Sequence, residues 1–94
     1  MQQQERHLLW AIIRKKQRMV NQVTLPLSGE DPLGDPLTLA CQEMDLERPV
    51  VLPKHHRDMG EFRRTTFKAP DFIDAFSYDA LDIIHIVERK EVSL

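Results

Sequence analysis

The sequence predicts a small single-domain α+β protein, in which an N-terminal amphipathic helix and two short helices pack on a small sheet of two to four strands. Three observations predict this class. Apolar residues recur at helical spacing near the start, turn and cap signals cluster in the middle, and β-branched residues concentrate near the end. A chain of 94 residues has room for one domain with a modest core.

The first predicted element is a helix from Gln3 to Val20. Its apolar residues fall on one face at helical spacing, and the opposite face is basic and polar. The apolar face consists of Leu8, Leu9, Ile12, Ile13, Met19 and Val20. Trp10 lies at the edge of this face, where a packing role is favoured over a ligand platform. The alternating segment 23–27 then fits a short edge strand or an extended connection.

A repeated Asp-Pro-Leu sequence marks the stretch 28–37. Asp31, Pro32 and Gly34 stand at the first, second and fourth positions of a predicted type I turn. Asp35 fits a helix N-cap and Pro36 the first helical position. The acidic residues lack the ligand spacing of a calcium loop, so we interpret the stretch as a hinge. It divides the chain into a basic helix with its tail (1–28), a turn or hinge (29–37) and a compact α+β unit (38–94).

Two short helices are predicted after the hinge. The first, 36–45, has a buried face at helical spacing, and on this face Cys41 is expected to be a core residue rather than a nucleophile. The second runs from Pro53 to Arg64, where Arg57 and Arg64 would share a face. Between them, residues 50–52 are predicted to form a brief buried strand.

The last elements are predicted to be strands at 65–67 and 82–88, with one helical turn near 70–76. Residues 76–88 also repeat helically, but the density of β-branched side chains favours a strand. This strand is expected to be central and to pair with residues 50–52. The predicted core consists of Leu9, Ile12, Ile13, Cys41, Met44, Val50, Leu52, Met59, Phe62, Phe67, Phe72 and Ile83.

Charge alternates along the chain. Segments 1–28, 29–47, 48–68 and 69–94 carry net charges of +4, −6, +4 and −4, within a total of −2. This alternation suits complementary packing within or between subunits, although chance produces similar patterns at this length. The longest early apolar run, 8–13, is too short for a signal peptide core or a membrane span. One cysteine excludes an intrachain disulfide, so a cytoplasmic protein without membrane contact is expected.

Motifs for enzyme chemistry are lacking in the sequence. It contains no nucleophile elbow, phosphate-binding loop or dinucleotide fingerprint. His55 and His56 are adjacent and would point about 100° apart on a helix, which does not favour a shared metal ion. We therefore predict no catalytic residue, metal ligand or cofactor. A small hydrolase or metal enzyme that uses His55, His56, His85 and acidic residues of the tail remains the weakest alternative.

A basic segment around the second predicted helix is the main candidate for binding an anion or a partner. Its members are Lys54, His55, His56, Arg57, Arg63, Arg64 and Lys68. They could equally form a solvated face that pairs with the acidic segments. The sequence favours a non-enzymatic interaction or regulatory module that forms a homodimer or binds a protein partner. The alternative is a nucleic-acid-binding domain that uses the surface from Lys54 to Lys68.

Overall fold

Residues 2–92 fold as a four-stranded antiparallel sheet with two helices on one face. The computed structural model describes the backbone of residues 2–92 and the side chains of residues 5–89. Strands β1 (Gln2–Lys15) and β2 (Arg18–Leu27) form a hairpin, followed by helices α1 (Asp35–Glu43) and α2 (Pro53–Phe62). Strand β3 (Arg64–Phe67), a 3₁₀ turn (Ala69–Asp71) and strand β4 (Ala80–Val92) complete the chain. The strand order is β2-β1-β4-β3.

The predicted N-terminal helix is wrong, because its residues form β1 and the start of β2. The apolar run from Leu8 to Ile13 satisfies helical spacing, but a strand with apolar side chains on both faces requires the same run. Lys16 and Gln17 form the two-residue turn, with φ angles of 52° and 64°. This is the type I′ geometry of tight hairpins, which usually carries Asn-Gly, so the sequence lacks the usual turn signal.

The hydrophobic core lies between one sheet face and the two helices. Alternate residues of the strands point into it, and α1 contributes one apolar stripe. Its buried members are Leu9, Ala11, Ile13, Leu27, Leu33, Leu37, Ala40, Cys41, Met44, Phe67, Phe72, Leu81 and Ile83. Ile12 is also buried, as predicted, but it lies on the other face of the sheet. Met59 packs only partly against this core.

The predicted strand at 50–52 does not form, and Val50, Leu52 and Phe62 are exposed rather than buried. Prolines at 49 and 53 flank the segment and have no N–H to donate to a ladder. Its main backbone link is Val50 N–H to the carbonyl of Asp71, at 2.7 Å. The predicted partner of this segment, β4, instead pairs with β1 and β3.

The stretch between β2 and α1 contains the predicted turn. The Gly34 N–H donates to the Asp31 carbonyl at 2.9 Å, and the Leu33 N–H donates to the Asp31 carboxylate at 3.0 Å. Gly34 rather than Asp35 is the N-cap of α1, since Asp35 already belongs to the helix. The prolines at 36 and 53 stand in the first turns of α1 and α2, where the absent N–H costs no helical hydrogen bond.

Two further boundaries differ from expectation. Helix α2 ends at Phe62, and Arg63 follows in the left-handed region with φ of 56°. The expected turn at 70–76 is a 3₁₀ turn that ends at Asp71. No helix within residues 2–92 has the length and apolar character needed to cross a bilayer.

Candidate functional site

The sheet face opposite the helices is the main candidate surface. Side chains at even positions of β1 and β4 point to this face, because odd positions enter the core. Its apolar centre consists of Leu8, Trp10, Ile12, Ile84 and Ile86. We call this surface the open face, since the described part of the chain places both helices on the other side.

The strand register brings the apolar centre of the open face together. Leu8 is directly opposite Ile86, and Trp10 is opposite Ile84 on β4 and Thr24 on β2. Leu8 and Ile12 are each only 6% exposed. Trp10, Ile84 and Ile86 are half-buried. The result is a continuous apolar strip along the middle of the sheet.

Polar contacts fix the side chains at the margin of this strip. The Trp10 indole N–H donates to Oε1 of Gln22 at 2.8 Å, which holds the ring against β2. On the other side, Arg14 makes two contacts with the carboxylate of Asp82, at 2.5 Å from Nε and 3.1 Å from Nη2. The Thr66 hydroxyl donates to the same carboxylate at 2.7 Å. Asp82 is buried, and these donors compensate for the loss of its hydration.

Both signs of charge surround the open face. Besides the Arg14–Asp82 pair, Arg6 on β1 approaches Glu88 on β4 at 3.9 Å, with both side chains largely exposed. Arg64 of β3 lies opposite Ile84 and therefore also points to this side. The open face thus has an apolar centre with a mixed, nearly balanced charged margin.

The residues predicted to bind an anion or a partner are not all at the surface. His55 is fully buried, whereas the other six are exposed. Because α2 ends at Phe62, Arg57 lies on the helix and Arg64 on β3, so they do not share a helical face. Lys54 and Arg64 do border one cavity of about 390 Å³, together with Asp58, Phe62, Thr65 and Thr66. Binding by this segment remains a prediction.

His55 has a structural position at the start of α2. Its Nδ1 accepts a hydrogen bond from the backbone N–H of Leu52 at 2.9 Å. Leu52 is the N-cap residue of α2, so this bond fixes the start of the helix. The ring also packs on Phe67, with 4.2 Å between centroids. Nε2 makes no hydrogen bond within the described structure, and Oδ2 of Asp71 is 3.5 Å away. Burial lowers the pKa of His55, with an opposing effect from Asp71.

The histidines of the hydrolase alternative are in three different places. His55 is in the core, and His56 is exposed, 4.0 Å from Asp31. His85 lies on β4, where its Nε2 is 2.9 Å from Nδ1 of His7. Sequence reasoning missed His7, because only the antiparallel register of β1 and β4 brings it to His85. Among residues 5–89, no three His, Cys, Asp or Glu side chains are arranged to hold a metal ion.

Cys41 lies in the core, on the face of α1 that the sequence predicts to be buried. Burial raises the pKa of its thiol to about 11, although Arg48 partly opposes this effect. A thiol with such a pKa is almost entirely protonated at neutral pH, so Cys41 is a poor nucleophile in the folded protein.

No family model, curated protein or solved structure matches this chain. Its function is therefore inferred from its own surfaces, among them the open face.

Proposed function

We propose that this protein is a non-enzymatic interaction module of the cytoplasm that self-associates through its open face. The apolar centre of that face carries the proposal. An antiparallel sheet with helices on one side usually presents alternating polar side chains to water on the other. Here β1 and β4 instead place five large apolar residues there. Trp10, Ile84 and Ile86 are the half-exposed ones, and an apolar patch of this kind is typical of a protein–protein interface.

The charges around the face favour a second copy of the same chain as the occupant. In a two-fold symmetric dimer the same surface of each copy meets its counterpart, so the charged groups at the margin of one copy come close to the same groups of the other. A margin with little net charge avoids repulsion between them. The Arg14–Asp82 and Arg6–Glu88 pairs each cancel within one copy. A strongly acidic or basic partner would gain little from this margin, whereas a second copy meets an apolar centre and a nearly neutral edge.

The dimensions of the face are compatible with a dimer of modest affinity. The stretch from Arg6 to Arg14 spans roughly 27 Å at about 3.4 Å per residue, and four strands span roughly 19 Å at about 4.8 Å each. The footprint is therefore about 500 Å² per copy, or about 1,000 Å² in total, near the lower limit for specific interfaces. We expect a concentration-dependent dimer rather than a permanent one.

The cytoplasmic location is supported by the buried thiol of Cys41, which needs no oxidising compartment. This part of the proposal does not affect the test of self-association.

Trp10 makes self-association directly measurable, because it is the only tryptophan and lies at the centre of the open face. Over a thousandfold concentration range, light scattering should show the mass rising from monomer to dimer. The Trp10 emission should shift to shorter wavelength over the same range, since its exposed edge becomes covered. A monomer at every concentration, with constant emission, would rule out the proposal.

A matched pair of variants locates the contact. Ile84→Lys places a charge in the apolar centre and should give a monomer at concentrations where the natural protein is a dimer. Leu39→Lys is the control, because Leu39 is 53% exposed on α1 and should leave the dimer intact. Far-UV circular dichroism verifies that both variants fold. A dimer that persists in folded Ile84→Lys would contradict the assignment of the surface.

A second candidate function, binding of single-stranded nucleic acid, is favoured by the exposure of Phe62. This ring is 65% exposed and borders the cavity that Lys54 and Arg64 also line. An aromatic ring beside two cations can stack on a base while the cations contact phosphates. The Asp58 carboxylate in the same cavity opposes an anion, which is why this candidate is second.

Fluorescence anisotropy of a labelled oligonucleotide at low salt tests this alternative. Binding should weaken steeply with added salt and should decrease at least several-fold in Phe62→Ala. Ile73→Ala is the matched control, since Ile73 is 80% exposed and lies outside the cavity. No binding at low salt, or equal binding by both variants, would remove the candidate.

A further inference from the structure

Strand β2 is the longer of the two outer strands of the sheet, and one side of its backbone has no neighbouring strand in the described part of the chain. The direction of its backbone groups follows from the register of the sheet. The His85 N–H donates to the Arg63 carbonyl at 2.7 Å, so His85 and the other odd residues of β4 bond toward β3. The even residues of β4 therefore bond toward β1.

The same alternation continues across β1 to β2. Trp10 is opposite Ile84 and bonds toward β4, so the odd residues of β1 bond toward β2. Their partners on β2 are also odd, as in the pairing of Leu25 with Leu9. The even residues of β2 thus direct their N–H and C=O groups away from the sheet. We call this side of residues 22–26 the β2 edge.

The β2 edge is rich in acceptors and poor in donors. Gln22, Thr24 and Pro26 each present a carbonyl, but Pro26 has no N–H, and the Gln22 N–H already donates to Oδ1 of Asn21 at 2.9 Å. An extended peptide antiparallel to β2 can therefore donate three N–H groups to this edge and accept one from Thr24. A second copy of β2, paired about Thr24, would place Pro26 opposite Gln22, so that only the two bonds between the threonines use uncommitted groups. The edge thus favours a peptide over a second copy.

An apolar cavity of about 340 Å³ lies beside the β2 edge, on the side of the sheet that α1 covers. It is lined by Leu25 and Pro26 of β2 and by Pro36 and Leu39 of α1. Leu39 is 53% exposed. A strand added to the β2 edge would direct every second side chain to this side of the sheet, in line with Leu25. A side chain at that position would fill the cavity and cover Leu39.

Two carboxylates stand at the same cavity. Glu30 and Asp35 line it, and neither forms a salt bridge within residues 5–89. The Glu30 carboxylate accepts the Ser28 N–H, and Asp35 is in the first turn of α1, where its charge also suits the helix dipole. Neither contact supplies a full positive charge, so the margin of the cavity is acidic. A basic side chain is attracted to such a margin, and an acidic one is repelled.

We propose that the β2 edge binds an extended peptide as an added antiparallel strand, with an apolar side chain in the cavity beside Leu39 and a basic side chain toward Glu30 and Asp35. In this mode of recognition the backbone bonds provide affinity, and the pockets for alternate side chains provide specificity. The activity goes beyond self-association and uses a different surface, because the apolar centre of the open face lies on β1 and β4.

An array of octapeptides tests both the surface and its preference. The probe has the pattern Ser-X-Thr-Z-Thr-Val-Thr-Ser, with every combination of amino acids at X and Z. In the antiparallel register X lies opposite Leu27 and Z opposite Leu25. The natural protein should select Lys or Arg at X and Leu, Ile, Val or Met at Z. Absence of any preferred peptide, or a preference for Asp or Glu at X, would overturn the proposal.

N-methylation of the selected peptide tests the backbone bonds. The Thr that follows Z lies opposite Thr24, and its N–H donates to the β2 edge. A methyl group on this nitrogen should weaken binding about tenfold or more. The same change at Z is the matched control, because the N–H of Z points away from β2, and it should weaken binding far less. Equal losses at the two positions would contradict strand addition.

Variants of the protein locate the bound peptide. Leu39→Lys should weaken binding about tenfold or more, since its ammonium group enters the apolar cavity and repels the basic side chain of the peptide. Ile73→Lys is the matched control, because Ile73 is 80% exposed and lies outside the cavity. Folded Ile84→Lys should bind the peptide as the natural protein does, whether or not the open face forms a dimer. Full binding by folded Leu39→Lys would refute the assignment of the cavity.

Amide resonances of the natural protein keep the test decisive if a variant unfolds. The selected peptide should shift the resonances of Gln22, Thr24 and Leu39 more than those of α2. Shifts at residues 22–26 that depend on protein concentration but not on the peptide would identify a second copy as the occupant and overturn the proposal.

Discussion

Replacing His55 by alanine removes a fully buried ring that has two contacts of different kinds. Its Nδ1 accepts the Leu52 N–H at the start of α2, and its face packs on Phe67. Loss of the cap should cost about 1 kcal/mol. Loss of the packed ring should cost about 2–4 kcal/mol, as for other large-to-small changes in a core. Removing the buried Nε2 donor, which lacks a hydrogen bond, recovers about 1 kcal/mol.

The net expectation is a loss of about 2–4 kcal/mol in the free energy of unfolding. A chain of this length has a total of roughly 5–14 kcal/mol, so the variant should still fold but with much lower resistance to urea. Urea unfolding at pH 7.5, followed by far-UV circular dichroism, measures the difference. His56→Ala is the matched control, because the neighbouring ring is exposed and should matter by less than about 0.5 kcal/mol. A loss below about 1 kcal/mol for His55→Ala would refute the reasoning.

The pH dependence provides a second test of the same residue. Burial lowers the pKa of His55 in the folded protein, so the unfolded chain binds its proton first as the pH falls. The contribution of the neutral ring is complete above the unfolded pKa of about 6.5 and is lost as the pH falls toward the folded pKa. In that window the free energy of unfolding should fall by up to about 1.4 kcal/mol per pH unit for this group. In His55→Ala the free energy of unfolding should fall less steeply with decreasing pH. The remaining dependence comes in part from His85, whose pKa burial also lowers. Equal slopes in the two proteins would show that His55 is not the group responsible.

Three further changes test other features of the fold. Replacing Lys16 and Gln17 by Asn-Gly should raise the free energy of unfolding by about 1–2 kcal/mol, because both positions have positive φ; an unchanged urea midpoint would contradict the type I′ assignment. Arg14→Ala should lower the free energy of unfolding by about 1–3 kcal/mol, because the buried Asp82 carboxylate loses its charged partner and only the half-exposed Arg14 side of the pair can be filled by water. A change within experimental error would show that the fold does not need this ion pair. Cys41 should not react with a thiol reagent at pH 7.5 until denaturant is added, because burial holds its pKa near 11; rapid labelling of the native protein would contradict its place in the core.

The central part of the fold could be predicted from local signals. Prolines in the first turns of α1 and α2, and the apolar spacing of α1, predict both helices close to their observed bounds. Those signals depend only on residues near one another in the chain, so they can be recognised without knowledge of tertiary contacts. The β-branched residues near the end likewise predict β4, whose observed bounds extend further at both ends.

The beginning of the chain could not be predicted in the same way. The six successive apolar residues that begin at Leu8 are compatible with the spacing of a helix and with that of a buried strand. The hairpin turn at Lys16 and Gln17 contains neither Asn nor Gly, so it lacks the usual sequence signal. What decides for a strand is the pairing of β1 with β4, a contact that is remote in sequence. The open face and the His7–His85 contact are hidden from the sequence for the same reason, because Trp10 meets Ile84, and His7 meets His85, only once this pairing exists.

The pairing of β1 with β4 also has a consequence for how fast the molecule folds. The partners in this central pair are between 66 and 90 positions apart in the sequence, so most of the chain must be closed into a loop before they meet. The β1–β2 hairpin can form early, but the sheet is incomplete until β4 inserts beside β1. Proteins dominated by such distant contacts fold in milliseconds to seconds rather than microseconds. Until β4 arrives, the apolar side chains of β1 are exposed on both sides of the hairpin, and this is the interval in which the chain is most prone to aggregate.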